Sequence, residues 1–140
     1  MEIYYFSGTG NTLFVAQELQ RRLPEANLIP LASLLNQDKI RSSAKTVGLV
    51  FPIQGMTAPV PVRLLMRKAD FRSAEYIFGV ATRGGSKCFA LDYLDHRLKR
   101  QGKRLDAGFV LTMGANDPKL ESFHEPSDDE IAGLEAAVLA

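Results

Sequence analysis

The sequence predicts an α/β fold, a parallel sheet of five strands with helices covering both faces. Three observations carry this. Five short, largely apolar runs recur along the chain, most segments between them show helical periodicity, and a glycine- and hydroxyl-rich turn stands at the first strand-to-helix junction. Strands that alternate with helices imply parallel pairing and right-handed crossovers.

The elements follow in order. Glu2–Phe6 reads as the first strand. A helix over Asn11–Leu23 places Val15, Ala16, Leu19 and Leu23 on one face, and Pro24 stops it. Asn27–Leu31 is a short second strand, and Pro30 within it argues for the sheet edge. Ala32–Ser42 is polar and poorly periodic, a short helical turn and loop. Thr46–Phe51 is a mostly apolar run of the kind found in a central parallel strand. The Pro52–Pro61 loop leads to a helix over Pro61–Lys68, with Pro61 in its first turn. Glu75–Ala81 is the fourth strand. Ser86–Gln101 is the clearest helix, with a stripe of Ala90, Leu91, Leu94 and Leu98, a basic last turn and Gly102 as terminator. Leu105–Met113 is the fifth strand. Ser127–Ala140 reads as a last helix, with Ser127 and Glu130 in capping-box spacing.

Bulk properties narrow the function. The 140 residues fit one domain, 1–140, with a substantial core. A net charge of +1 makes no case for nucleic acid or a membrane surface. Cys88 is the lone cysteine, so a disulfide within the chain is impossible and a reducing compartment is compatible. No signal segment opens the chain and no apolar run is long enough for a bilayer, which makes the cytoplasm the default location. No set of Cys, His and carboxylates has metal-ligand spacing.

Residues Tyr4 to Thr12 read Tyr-Tyr-Phe-Ser-Gly-Thr-Gly-Asn-Thr. Gly8 and Gly10 let the backbone turn tightly and approach a ligand. Ser7, Thr9 and Thr12 offer hydroxyls and Asn11 an amide. The following helix aims its unpaired N–H groups and positive dipole end at the same spot. Such donors, with no cationic side chain among them, suit a phosphate monoester. No Gly-Lys-Ser/Thr follows, so this is not a Walker loop, and Leu13 stands where the dinucleotide fingerprint has its third glycine. The alternative is a Ser/Gly-rich turn that only caps the helix.

Ser7-Gly8-Thr9-Gly10-Asn11-Thr12 strongly resembles the FMN-phosphate loop of flavodoxins, Thr/Ser-x-Thr-Gly-Asn-Thr/Ser. Its wider context is most similar to the flavodoxin half of bacterial flavodoxin–ferredoxin fusion proteins, over roughly residues 2 to 117. The resemblance implies a three-layer sandwich with strand order 2-1-3-4-5 and FMN at the switch point between strands one and three. It implies that Pro52, Ile53, Gln54, Gly55 and Met56 line one face and the N5 edge of the flavin ring. It implies that Thr82, Arg83, Gly84 and Gly85 hold the polar edge of the ring. Arg83 and Lys87 are either cations near N1–O2 or solvated loop charges, and the second loop is alternatively a proline-rigidified connection.

The chain departs from the pattern in its aromatics. It has no Trp, and these two loops contain no Tyr or Phe apart from Phe89 at the start of the third helix. Stacking on the ring then falls to aliphatic or sulfur-bearing side chains or to a partner. The resemblance also implies a ferredoxin half after residue 140, and none of its cysteine motif is present here. Cys88 reads as a small buried thiol, Asp92 and His96 as a surface pair, and Lys99, Arg100, Lys103 and Arg104 as a solvated helix end or a docking patch for an acidic redox partner.

The expected activity is electron transfer through FMN between redox partners, such as a ferredoxin or ferredoxin domain, with no catalytic side chain and no metal. Two alternatives stand beside it: an FMN-dependent reductase of a quinone-like acceptor using NAD(P)H, and a flavin-free interaction module of the same fold.

Overall fold

The computed structural model describes residues 1–7, 11–53, 58–83 and 89–112. Its elements are β1 (Glu2–Tyr5), α1 (Asn11–Arg22), β2 (Asn27–Pro30), a 3-10 turn (Leu31–Ser33), β3 (Ile40–Arg41), β4 (Thr46–Pro52), α2 (Val60–Lys68), β5 (Ala69–Asp70), β6 (Tyr76–Arg83), α3 (Ala90–Lys99) and β7 (Ala107–Thr112). The predicted helix over Ser127–Ala140 lies outside the described residues.

The α/β fold is as expected. Five strands form one parallel sheet in the order β2-β1-β4-β6-β7. Counted among themselves, they run 2-1-3-4-5. Strand β2 is at the edge, where Pro30 sits opposite Tyr5 without breaking an interior ladder.

The alternation of side chains along the strands divides the core in two. Val50, Phe78 and Val80 meet Val15 and Leu19 of α1, and Leu23 just after it, on one face. Leu49, Phe51, Ile77 and Ala81 meet Val62 and Leu65 of α2 and Leu94 and Leu98 of α3 on the other. Gly48 makes the first packing possible. The ring of Phe78 lies across it, and a Cβ at Gly48 would fall 2.3 Å from Phe78 Cζ.

Three differences from the sequence reading have physical causes. A second sheet of two strands, β3 and β5, pairs Ile40 with Ala69 and Arg41 with Asp70 inside what reads as polar loop. Two residues are too few to show alternation, and Ile40 is held by burial in the core. The far side of β5 is bonded by a side chain: Gln101 Oε1 accepts from Phe71 N–H at 2.8 Å, and Gln101 Nε2 donates to the Ala69 carbonyl at 2.8 Å.

Phe89, expected within the Ser86–Gln101 helix, instead precedes α3, which starts at Ala90; Ser86, Lys87 and Cys88 lie outside the described residues. Phe89 has φ −112° and ψ 4° and is exposed, whereas Ala90 is the first residue of the stripe to be buried. The helix closes as expected: Gly102, at φ 71°, donates to the Lys99 carbonyl and Lys103 N–H to the Leu98 carbonyl, the two bonds of a Schellman motif.

Strands β4 and β6 also run further than expected. Pro52 pairs with Thr82, and Arg83 with Thr112, so Pro52, Thr82 and Arg83 are strand ends rather than loop residues. Each added ladder position satisfies backbone groups that a loop would leave to water.

Candidate functional site

Parallel strands place all their carboxyl ends at one rim. There β1 and β4 are neighbours whose following helices, α1 and α2, pack on opposite faces. That is the switch point of the sheet, where diverging connections leave a crevice.

The first wall is built from the end of β1 and the start of α1. Phe6 N–H donates to the Val50 carbonyl at 3.0 Å, carrying the pairing one residue past the strand. Ser7 then sits at the mouth of α1, and its Oγ accepts the Leu13 N–H at 3.3 Å. One orphan donor of the first turn is thereby satisfied from outside the helix. The first turn carries no acidic side chain, while Arg21 and Arg22 stand in the last. The positive end of the helix is therefore left uncompensated by an acid of its own turn, an arrangement that favours an anion.

The second wall is β6. Thr82 points to the α1 face, and its Oγ1 lies 3.1 Å from Thr12 Oγ1, with either hydroxyl able to donate. Both residues are buried, Thr12 at 2% exposure and Thr82 at 4%. One hydrogen bond uses one of the two hydroxyl protons. The other remains as a donor buried at the rim, beside the helix N-terminus. The Thr82 carbonyl accepts from Ile53 N–H at 2.9 Å, which fixes the exit of β4 against β6. Arg83 follows, half-buried and engaged with a partner of its own.

Of the residues expected at a ligand site, the fold thus brings Ser7, Thr12, Pro52, Ile53, Thr82 and Arg83 to one rim, with the backbone of Asn11 opening α1. Gly8, Thr9, Gly10, Gln54, Gly55, Met56, Gly84 and Gly85 lie outside the described residues, as do Lys87 and Cys88. The side chain of Thr82, a residue expected at the polar edge of a ring, faces Thr12. No sequence signal links two threonines 70 positions apart. Sequence reasoning also passed over Val60. It stands 54% exposed at the start of α2, as Phe89 stands 53% exposed before α3, and both helices begin at this rim.

Among the described residues the marked pKa perturbations lie away from the rim. Burial, and then a hydrogen bond to the Glu2 carboxylate, push the Tyr4 phenol well above its usual range. Glu2 Oε2 also accepts from Ser42 Oγ at 2.8 Å. The Asp95 carboxyl is held down by the Leu105 N–H, which it accepts at 2.9 Å, and then by Lys99. Both groups serve the core and its connections. Among the described residues no group of His, Cys, Asp and Glu could hold a metal ion, and no helix is long and apolar enough to cross a membrane.

No family profile matches the sequence, and no curated protein is similar to it. Solved structures do share its fold. The Megasphaera elsdenii flavodoxin, solved in its two-electron reduced form, superposes with a TM-score of 0.62 at 19% identity, over 99% of this chain and 98% of that one. Rubredoxin oxygen:oxidoreductase from Desulfovibrio gigas gives 0.68 at 13% identity over 99% of this chain, and the flavodiiron protein from Giardia intestinalis 0.68 at 15% over 99%. The chain spans only 34% of each of these two longer proteins. The fold is flavodoxin-like, shared with a protein named as a flavodoxin and one named as a flavodiiron protein.

Proposed function

We propose that this chain is an FMN-binding electron-transfer domain whose cofactor phosphate sits at the N-terminus of α1. The observation that carries the reading is the convergence of that acid-free helix start with the buried Thr12–Thr82 hydroxyl pair at the switch point. A phosphate needs several donors and no carboxylate nearby, and the described part of the site supplies that chemistry. Thr12, or Thr82 through the shared bond, would give the spare hydroxyl proton, and the first turn of α1 would give backbone N–H groups. Ser7 keeps the helix mouth in place by capping Leu13. Ile53, tied to Thr82 at the exit of β4, would border the ring.

Bound FMN supplies the redox chemistry, accepting and releasing electrons one or two at a time; the protein supplies position, charge and exclusion of water. A protein partner, such as a ferredoxin or ferredoxin domain, fits the exposed apolar side chains of Val60 and Phe89 at the same rim. The flavodoxin fold of the neighbours supports the cofactor, and the similarity of the Ser7–Thr12 motif to the fusion proteins supports the type of partner. A cytoplasmic setting suits a chain with one cysteine.

The deciding experiment adds FMN to the purified apoprotein and follows flavin fluorescence, with riboflavin as control. Saturable quenching by FMN and none by riboflavin is expected. Equal binding of both flavins would remove the phosphate anchor, and no binding of FMN at micromolar concentration would remove the proposal and leave the flavin-free module. Steady NAD(P)H oxidation by the loaded protein alone would replace the carrier with a reductase.

A further inference from the structure

At the opposite end of the sheet, where β4, β6 and β7 begin, the connections enclose a cleft of about 420 Å³. Its walls come from β3 and β5 and from the last turns of α2 and α3. Seven cationic residues line it against two carboxylates, Asp38 and Asp70. The lining therefore carries 7 − 2 = +5 in a chain whose net charge is +1, so the remaining residues sum to −4.

Only part of that charge is used by the protein. Arg72 grips Asp70 through two hydrogen bonds of 3.0 and 2.8 Å. Lys68 Nζ donates to the Leu35 carbonyl at 2.7 Å. The side chains of Lys39, Arg41, Arg67, Arg97 and Arg100 make no hydrogen bond or close ion pair with any described residue, although Arg41 is near enough to help hold down the Asp70 carboxyl. Among these, Arg97 Nε is buried and has no partner. Cations at the ends of α2 and α3 complement the helix dipoles, which accounts for Arg67 and Arg97. It does not account for Lys39 and Arg41, which come from a different segment and converge on the same space. The wall is held firm besides, since Gln101 bonds the end of α3 to the edge of β5 that faces away from β3.

We propose that this cleft binds a compact polyanion bearing two or more phosphoryl groups. The volume is that of a small-molecule site rather than a flat docking face. With Arg41 shared with Asp70, the four remaining cations Lys39, Arg67, Arg97 and Arg100 still exceed what one monoester would neutralise, and guanidinium groups match phosphoryl oxygens in pairs. The site is independent of the flavin rim: the eight residues of β6 separate the two by roughly 25 Å, at about 3.3 Å per residue. Electrostatic screening at physiological salt makes that separation about three Debye lengths. A polyanion and a ligand at the rim should therefore bind together without competition.

The probe is inorganic pyrophosphate, titrated into the purified chain at low ionic strength by calorimetry, with inorganic phosphate and a hexaglutamate peptide as comparisons. One saturable site is expected, at least ten-fold tighter for pyrophosphate than for phosphate or the peptide, and weakening as salt is raised. Arg97→Gln with Arg100→Gln should weaken pyrophosphate at least ten-fold. Circular dichroism checks that this variant is folded, and the exposed pair Lys39→Gln with Arg67→Gln provides the same test should it not be. The absence of saturable binding at millimolar pyrophosphate would overturn the proposal. So would equal affinity for hexaglutamate, which would mark a diffuse surface for acidic proteins, or undiminished binding in folded variants.

Discussion

The Thr12–Thr82 pair offers a test in which stability and ligand binding should separate. Each hydroxyl is almost wholly buried, and each is the other's partner at 3.1 Å. Thr12→Val alone removes one hydroxyl and leaves Thr82 Oγ1 buried without this partner. That costs about 1–3 kcal/mol, the desolvation of an unpaired polar group. Thr82→Val alone does the same in the other direction. The double variant removes both groups together and replaces them with methyls of similar shape, so its stability should return to near that of the parent. A double-mutant cycle should then show a coupling of about 2–6 kcal/mol, the sum of the two single costs. In urea, with a slope of about 2 kcal/mol/M, each single variant should lose about 1 M from its midpoint. The double variant should recover most of it. FMN affinity should not recover, because the spare hydroxyl proton of this pair is gone. Single costs that simply add in the double variant would refute the hydrogen bond. A stable double variant that binds FMN as the parent does would refute the role given to it in holding phosphate.

Other consequences are open to direct measurement. Gly48→Ala places a methyl 2.3 Å from Phe78 Cζ, and Phe78 is fully buried, so overpacking should cost about 1–3 kcal/mol, read as a lowered urea midpoint. Gly102→Ala meets no atom within 4 Å, yet the φ of 71° should cost about 1 kcal/mol from backbone strain alone, so a neutral result would mean the Schellman turn is not formed in solution. The Asp95 carboxyl has a folded pKa below its unfolded one, so its contribution is complete above about pH 5 and is lost as pH falls through the lower folded value. At 34% side-chain exposure solvent screens it, and Asp95→Asn should cost only about 0.5 kcal/mol at pH 7 and make the acid limb of stability against pH shallower, with an unchanged limb counting against the bond to Leu105 N–H.

What could be read from the sequence, and what could not, divides by range. Strands β1, β4 and β6 were legible as short apolar runs, and the parallel order followed from their alternation with helices. The edge position of β2 was legible in Pro30, and the end of α3 in Gly102. The switch-point site was legible in the Ser7–Thr12 segment because its donors are neighbours in sequence. Its far wall was not, because Thr12 meets Thr82 only through the fold. Charge behaved the same way. Lys99, Arg100, Lys103 and Arg104 form one basic run in sequence, but Lys99 pairs with Asp95, Lys103 donates to the Ala74 carbonyl and Arg104 pairs with Asp106. Only Arg100 reaches the basic cleft, beside residues from three other segments. The β3–β5 pair was missed because pairing of two residues leaves no periodic trace.

That small sheet has a further consequence, which concerns neighbours rather than the chain itself. A strand end with unsatisfied backbone groups is a place where another molecule can add a strand of its own. On β5 the groups that would accept one are the Ala69 carbonyl and the Phe71 N–H, and Gln101 occupies both with a single amide. A carboxamide reproduces one peptide unit of a missing strand. It cannot be extended, so pairing stops there. Replacing Gln101 with leucine would keep the bulk and reopen the edge, and the place to look for the effect is in the tendency of the protein to self-associate on storage rather than in the affinity of its sites.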